Sequence, residues 1–316
     1  MILALDTSCY TTSLALLDDS GRLLIDKRRL LPVKQGVCGL RQSDALFKHL
    51  QILPDLVAEV ISDLRDKPRL IAVATRPRPQ ENSYMPVFLA GAQTARLLSI
   101  AWSCPCWSFS HQEGHIAAAL WSNSTIWRKP FIAAHLSGGT SELLLAIPQN
   151  FGYDLKILGG SDLPAGQFID RVGVALGLPF PAGPALEQLA LSAPPSSLKL
   201  RVSSKGANMS FSGPESAARR LIDQGVDKVQ LAQAVFSNIA QSLSKALQAA
   251  AIAADCSQIL ITGGVAANTL IRAQIELENQ GLKLHFANPA YAGDNAVGIG
   301  ALAAAKLEQI KGGGGA

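Results

Sequence analysis

Charge is scarce in this chain. Asp, Glu, Lys and Arg make up 16% of its 316 residues, against 48% hydrophobic, a balance that excludes long disorder and supports a large core. Long apolar runs are also missing. None approaches the ~20 residues a membrane-spanning helix needs, so the mean hydropathy of +0.21 does not imply a membrane protein. The greasiest stretches, LQAAAIAADC and AVGIGALAAA, are short and alanine-rich and read as buried helices. The opening residues MILALDTSC lack the basic segment of a signal peptide. Cysteines number five, an odd count, which excludes a fully paired disulfide framework and fits a reducing cytoplasm. Cys104 and Cys106 form one C-x-C with no second pair, so these thiols are expected free and buried. The Thr-, Ser- and Gly-rich turns DTSCYTTS and LSGGTSE match neither a Walker nor a Rossmann glycine pattern. A net charge of +4 permits a nucleic-acid partner without demanding one; the groups Lys27–Arg29, Arg76/Arg78 and Arg219/Arg220 read as solvated faces. The tail KGGGGA is expected to be flexible.

What is present is a repeated unit. ILALDTS, TTSLALLDDSG and RLLIDKRRL read as strand, turn, strand, turn, strand, and FIAAHLSGG, TSELLLAIPQNFG and YDLKILGG repeat that order over residues 131–160. Two copies of a three-stranded unit, each followed by helices, predict an internally duplicated α/β protein. Helical spacing is expected from Ser43 to about Arg65, over 83–101 with Ser83 as cap and Pro86 in the first turn, over 228–255, after Asn268, and from Asp294 to about 310. LIAVAT, QILITGG and KLHFANP read as further strands. The expected lobes are 1–127 and 128–316, with the last helix returning to the first.

Two such lobes would face each other across a cleft. The turns DTSCYTTS and LSGGTSE would stand on its walls, and their backbone N–H groups and hydroxyls suit phosphate oxygens. In ITGGVAAN, Gly263 and Gly264 would let a base or ribose approach the backbone. Asn268 either bonds that ligand or caps the next helix.

His111 and His115 stand four apart in SFSHQEGHIAAAL. Ser110 and Glu113 form a capping box, so the pattern is not the metalloprotease H-E-x-x-H. Helical spacing puts both imidazoles on one face, about 5–6 Å apart at Cβ, which suits one shared cation. A third ligand must come from elsewhere. Asp294 in AGDNAVG is a candidate, and a helix cap is its plainer role. Gly114 inside the helix suggests that something approaches there.

The motifs HQEGH, DTSCYTT, LSGGTSEL, GQFIDRVGVALGLPFPAGP, MSFSGPES, ITGGVAAN and AGDNAVG occur in the order found in the TsaD-type tRNA threonylcarbamoyladenosine transferases, also known as glycoprotease-like proteins, and the chain resembles that family over nearly its whole length. The resemblance implies the duplicated actin/Hsp70/sugar-kinase (ASKHA) fold with a nucleotide cleft. It implies one divalent metal ion, iron or zinc, on His111, His115 and Asp294. It places Ser137, Gly138, Gly139 and Thr140 at the phosphate or acyl group of threonylcarbamoyl-AMP, Asp170 and Gly183 at its ribose, and Gly263, Gly264 and Asn268 on the adenosine side. Asp6, Ser137 and Asp170 are the implied catalytic residues. The implied reaction moves a threonylcarbamoyl group from its adenylate to the exocyclic amine of the tRNA adenosine beside the anticodon. A shorter homologous subunit and an ATPase are the implied partners.

The chain departs from the family pattern near the expected cleft. Tyr10 and Thr11 replace two acids of the first turn, and Thr140 stands where the family has histidine in SGGHT. RPRPQENSYMP replaces a glycine-rich G-P-G-L loop, so that Arg76 and Arg78 could bind a carboxylate or phosphate of an acceptor. These departures keep two other readings open: a carbamoyl- or acyltransferase with a non-tRNA acceptor, and a non-catalytic nucleotide-binding partner protein.

Overall fold

In a computed structural model of the chain, the structure describes residues 1–313 except 9, 35–38, 63, 65, 81 and 126, with the side chains of 312 and 313 left out. The first sheet is built from β1 (Ile2–Asp6), β2 (Thr11–Leu17), β3 (Leu23–Leu30), β4 (Leu70–Arg76) and β5 (Cys106–Ser110), in the order β3-β2-β1-β4-β5. The second uses β6 (Phe131–Leu136), β7 (Ser141–Gln149) and β8 (Gly152–Gly160). After a small hairpin of β9 (Ser203–Lys205) and β10 (Asn208–Ser210), β11 (Gln258–Thr262) and β12 (Lys283–Phe286) complete it in the order β12-β11-β6-β7-β8. The two orders are the same list. In each, a three-strand antiparallel meander is extended by two parallel strands. The expected duplication is therefore present strand for strand.

Burial explains the composition of the strands. Every residue of β1 and β2 is buried, because helices cover both faces, and such strands read as continuous apolar runs. At the edge, β3 carries Asp26, Lys27, Arg28 and Arg29 and has no fully buried residue, and such a charged edge discourages pairing with another chain. The helices α1 (Gln42–Ile61) and α2 (Phe88–Trp102) cover one face of the first sheet. The opposite face is covered by α10 (Val297–Gly313).

Between the sheets runs α3 (His111–Ser122), buried on all sides from Gln112 to Leu120. Ile116, Ala119 and Leu120 pack on the second sheet, with α9 (Pro289–Ala292) alongside, while Ala117 packs toward the first. On its far face the second sheet is covered by α4 (Ala165–Ala175), α6 (Ser212–Asp223), α7 (Lys228–Ala254) and α8 (Thr269–Glu278), with α5 (Gly183–Leu191) against α7. Most of the apolar length of α7 is spent inside this core, with Ile252 near its C-terminus left exposed.

Several local expectations change. Ser83 does not cap a helix: its Oγ accepts from the Arg78 N–H at 3.0 Å, and α2 begins at Phe88 after turns closed by three-residue hydrogen bonds. The strand β5 and the helix α6 carry no sequence signal strong enough to predict them; β5 exists because β4 offers it a parallel partner. The last helix continues to Gly313, so the first residues of the tail expected to be flexible are helical. Cys104, Cys106 and Cys256 are free, each partly exposed rather than fully buried; Cys9 and Cys38 lie outside the described residues. No helix among the described residues is long and apolar enough to cross a membrane.

Candidate metal centre and interlobe cleft

The N-terminus of α3 is fixed by its capping box. Ser110 Oγ accepts from the Glu113 N–H at 3.2 Å, and Glu113 Oε2 accepts from the Ser110 N–H at 3.0 Å. This sets the rotation at which the helix presents His111 and His115. Their Nε2 atoms lie 3.0 Å apart. Asp294 Oδ1 lies 3.3 Å from Nε2 of His115 and 3.6 Å from Nε2 of His111. A triangle with these sides has a centre about 1.9 Å from each corner, so an ion slightly off its plane would meet all three at the ~2.0–2.2 Å of zinc–ligand bonds. Two imidazole nitrogens and a carboxylate oxygen are also the right donors for zinc or iron. The three residues therefore fit a divalent cation.

Asp294 is free for this because another residue performs the task predicted for it. Asn295 Oδ1 accepts from the Gly298 N–H at 3.2 Å, capping α10 one position further on. The approach of α10 also accounts for Gly114. A Cβ on Gly114 would lie 2.9 Å from Ile299 Cδ1, and a Cβ on Gly298 would lie 1.9 Å from the Gly114 carbonyl oxygen. What comes close at Gly114 is thus a helix, and that closeness delivers Asp294.

Asp6 takes a place that spacing did not reveal. Its Oδ2 lies 2.7 Å from His111 Nδ1, and its Oδ1 accepts from the Ser8 N–H at 2.8 Å. A carboxylate accepting at Nδ1 leaves the lone pair of His111 on Nε2, facing the triangle. Asp6 thus acts through His111 and is a positioning residue. Burial lowers the pKa of His111, but the Asp6 carboxylate, and behind it Asp294, raise it further, to about 9. His115 is pushed down by burial and by the His111 charge. Burial raises the Asp294 carboxyl, but the two imidazoles outweigh it and hold it below the ordinary carboxylate value.

His135 was missed entirely. It sits on β6, is 3% exposed, and neither ring nitrogen has a hydrogen-bond partner. Its ring centroid is 4.3 Å from that of His115 and 6.5 Å from that of His111. Burial and the neighbouring imidazoles hold its pKa well below the ordinary value. The one signal available was a histidine in the apolar strand FIAAHL.

The glycine-rich turns meet at the end of β6. Ser137 Oγ accepts from the N–H groups of Gly139 and Thr140 at 3.3 and 3.0 Å, so this hydroxyl shapes its own turn. Gly166 of α4 donates to the Ser137 carbonyl at 3.2 Å, and a Cβ there would lie 2.6 Å from Gly138 Cα. Gly263, at φ +100°, would put a Cβ 2.1 Å from the Leu136 carbonyl oxygen. That glycine serves the contact of β11 with β6, whereas space beside Gly138 and Gly264 is open. Asp170 Oδ1 accepts from the Ala182 N–H at 2.7 Å, which ties α4 to the turn before Gly183; burial raises its pKa. Asn268 caps α8, its Oδ1 accepting from the Ile271 N–H at 2.9 Å. Among the described residues, none of Asp170, Gly183 and Asn268 bonds to the three clustered ligands.

Residues 36–301 match the family model described as TsaD, tRNA N6-adenosine threonylcarbamoyltransferase. The chain belongs to that family. A relative from Thermus thermophilus, named tRNA N6-adenosine threonylcarbamoyltransferase, is 31% identical over 98% of this chain and 93% of its own length. Among solved structures, the activator of the 2-hydroxyisocaproyl-CoA dehydratase from Clostridium difficile, with bound ADPNP, superposes with a TM-score of 0.57 at 11% identity over 99% of this chain and 97% of the other. A ROK family glucokinase from Streptomyces griseus, in complex with glucose and AMPPNP, gives 0.54 at 12% identity over 95% and 98%. These two likenesses establish the ASKHA fold. The TsaD relationship makes the chain a member of an enzyme family.

Proposed function

We propose that this protein transfers the threonylcarbamoyl group of threonylcarbamoyl-AMP to the exocyclic amine of the adenosine next to the anticodon of tRNA. The observation that carries this reading is the convergence of His111, His115 and Asp294, backed by Asp6, in a chain of the TsaD family. A bound divalent ion, iron or zinc, would supply Lewis-acid polarisation of the acyl carbonyl. The protein's own groups do the rest. Asp6 orients His111. The turn Ser137–Thr140, shaped by the Ser137 hydroxyl, faces the leaving phosphate with the open side of Gly138. Asp170 positions the Ala182–Gly183 turn for the ribose, and Gly264 gives the adenosine side its room. The two lobes, 1–127 and 128–316, hold the ion between them.

A shorter homologous subunit is the partner we assign to the outer face of α1 and α2. Phe47, Leu50, Leu97 and Ile100 are exposed there, and helix faces of this composition suit a helical counterpart. An ATPase subunit would join through that partner.

Label transfer tests the reading. Purified chain with its partners, threonylcarbamoyl-AMP and unmodified tRNA should label the tRNA, and His111→Ala should abolish that label. Binding of metal and adenylate with no tRNA labelling would instead favour a different acceptor, a reading supported by the Arg-Pro-Arg-Pro loop.

A further inference from the structure

The loop that begins with Arg76 crosses the cleft. Nη2 of Arg78 donates to Glu142 Oε1, and Gln112 Nε2 donates to Glu142 Oε2 at 3.1 Å. One carboxylate from the second sheet is therefore gripped, on both oxygens, by two side chains that belong with the first. Gln112 directly follows His111, and its backbone N–H donates to the Pro77 carbonyl at 3.0 Å, so the loop is fastened to the start of α3. Glu142 lies directly opposite His135 in the β6–β7 register. Side chains so paired share one face of a sheet, roughly 5 Å apart at Cβ, and the His135 ring packs against that of His115, tilted by 42° with centroids 4.3 Å apart. The grip thus stands one residue pair away from the candidate metal centre.

Stability does not explain it. Glu142 is largely buried at 13% exposure, but Arg78 is 41% exposed, so water screens the guanidinium and the pair contributes only modestly. A guanidinium with a side-chain amide beside it is a receptor for a planar carboxylate, and Glu142 demonstrates the fit by occupying it.

We infer that Arg78 and Gln112 form the subsite for the carboxylate of the acyl donor, and that Glu142 is a built-in stand-in which the substrate carboxylate displaces. This rests on the donor assigned above. With the phosphate at the Ser137–Thr140 turn and the acyl carbon at the ion, the amino-acid end of the donor must extend toward another wall, and the Arg78 wall presents a matching cation.

The test is calorimetric, on the full zinc-loaded chain, with three probes: a non-hydrolysable threonylcarbamoyl-adenylate, its counterpart lacking only the carboxylate, and AMP. Wild type should prefer the carboxylate-bearing probe by about 10- to 100-fold, the range for hydrogen bonds between charged groups. Arg78→Gln should bring the two acyl probes to equal affinity, with Arg78→Lys between. Glu142→Gln should do the reverse, tightening the carboxylate-bearing probe severalfold because the competitor is gone. AMP should bind all variants alike; an AMP affinity that falls with Arg78→Gln would assign the guanidinium to the phosphate and overturn the inference. Equal binding of both acyl probes by wild type would overturn it too, as would parallel losses in Arg78→Gln and Glu142→Gln, the signature of a simple tie between lobes. Wild type binding none of the three would overturn the donor assignment and this inference with it. Thermal unfolding of each variant shows whether the fold is kept.

Discussion

Asp6 holds His111 from behind: its Oδ2 lies 2.7 Å from Nδ1, on the side of the ring opposite the Nε2 that faces His115 and Asp294. Asp6→Asn keeps the shape and removes the charge. Zinc affinity should fall about 10- to 100-fold, the usual cost of losing a carboxylate behind a ligating imidazole, and competition with a chromophoric chelator would measure it. An unchanged affinity would mean that the ring is held by packing alone.

The metal-free protein should be sensitive to alkali. His111 titrates at about 9 in the folded chain against roughly 6.5 unfolded. Its protonated form, facing Asp6 and Asp294, stabilises the fold fully below the unfolded value, and that contribution is lost as pH rises through the folded value. Denaturant melts of chelated protein should therefore weaken between pH 6.5 and 9. Zinc competes with that proton, so the loaded protein should hold its stability across the same range, and the gap between the two should widen.

The contact of α3 with α10 gives a graded pair of variants. Gly298→Ala sets a Cβ against backbone, the Gly114 carbonyl oxygen at 1.9 Å. It should cost about 1–3 kcal/mol by overpacking and should displace Asp294 enough to abolish tight zinc binding. Gly114→Ala meets Ile299 most closely at its Cδ1, 2.9 Å away, which a small side-chain shift relieves, and the helix gains about 1 kcal/mol of propensity. Urea melts should show it close to wild type.

His135→Phe replaces a buried ring that has no polar partner with an apolar ring of similar shape. Without metal, the variant should be as stable as wild type or up to about 1 kcal/mol more stable, since an unsatisfied buried polar group is removed. With zinc, affinity should fall, because the variant removes the imidazole packed against the ligand His115 at a centroid distance of 4.3 Å. A large loss of stability in chelated protein would point to an unseen hydrogen bond at His135.

Much of this molecule is local in origin. The capping box at Ser110 and Glu113 orients α3 by hydrogen bonds spanning three residues, and the two meanders announce themselves through runs of alternating strand and turn. Those features need only near neighbours in the chain, so spacing reveals them. The same holds for Asn268, whose side chain finds the Ile271 N–H within one helical turn. The metal site is different in kind. Asp6, His135 and the Arg78–Glu142 grip meet across separations that no period encodes, and Gly114 looked like room for a ligand until α10 filled it.

Residue type and spacing alone were enough to select the duplicated architecture and to put His111 and His115 on one helix face, because secondary structure and capping obey short-range rules; Asp294 joined them as a ligand through the resemblance to the TsaD family. Which carboxylate would stand behind which imidazole, and which side chains would span the cleft, was settled only when two sheets closed on α3 and the glycines of α10 let that helix come within backbone contact.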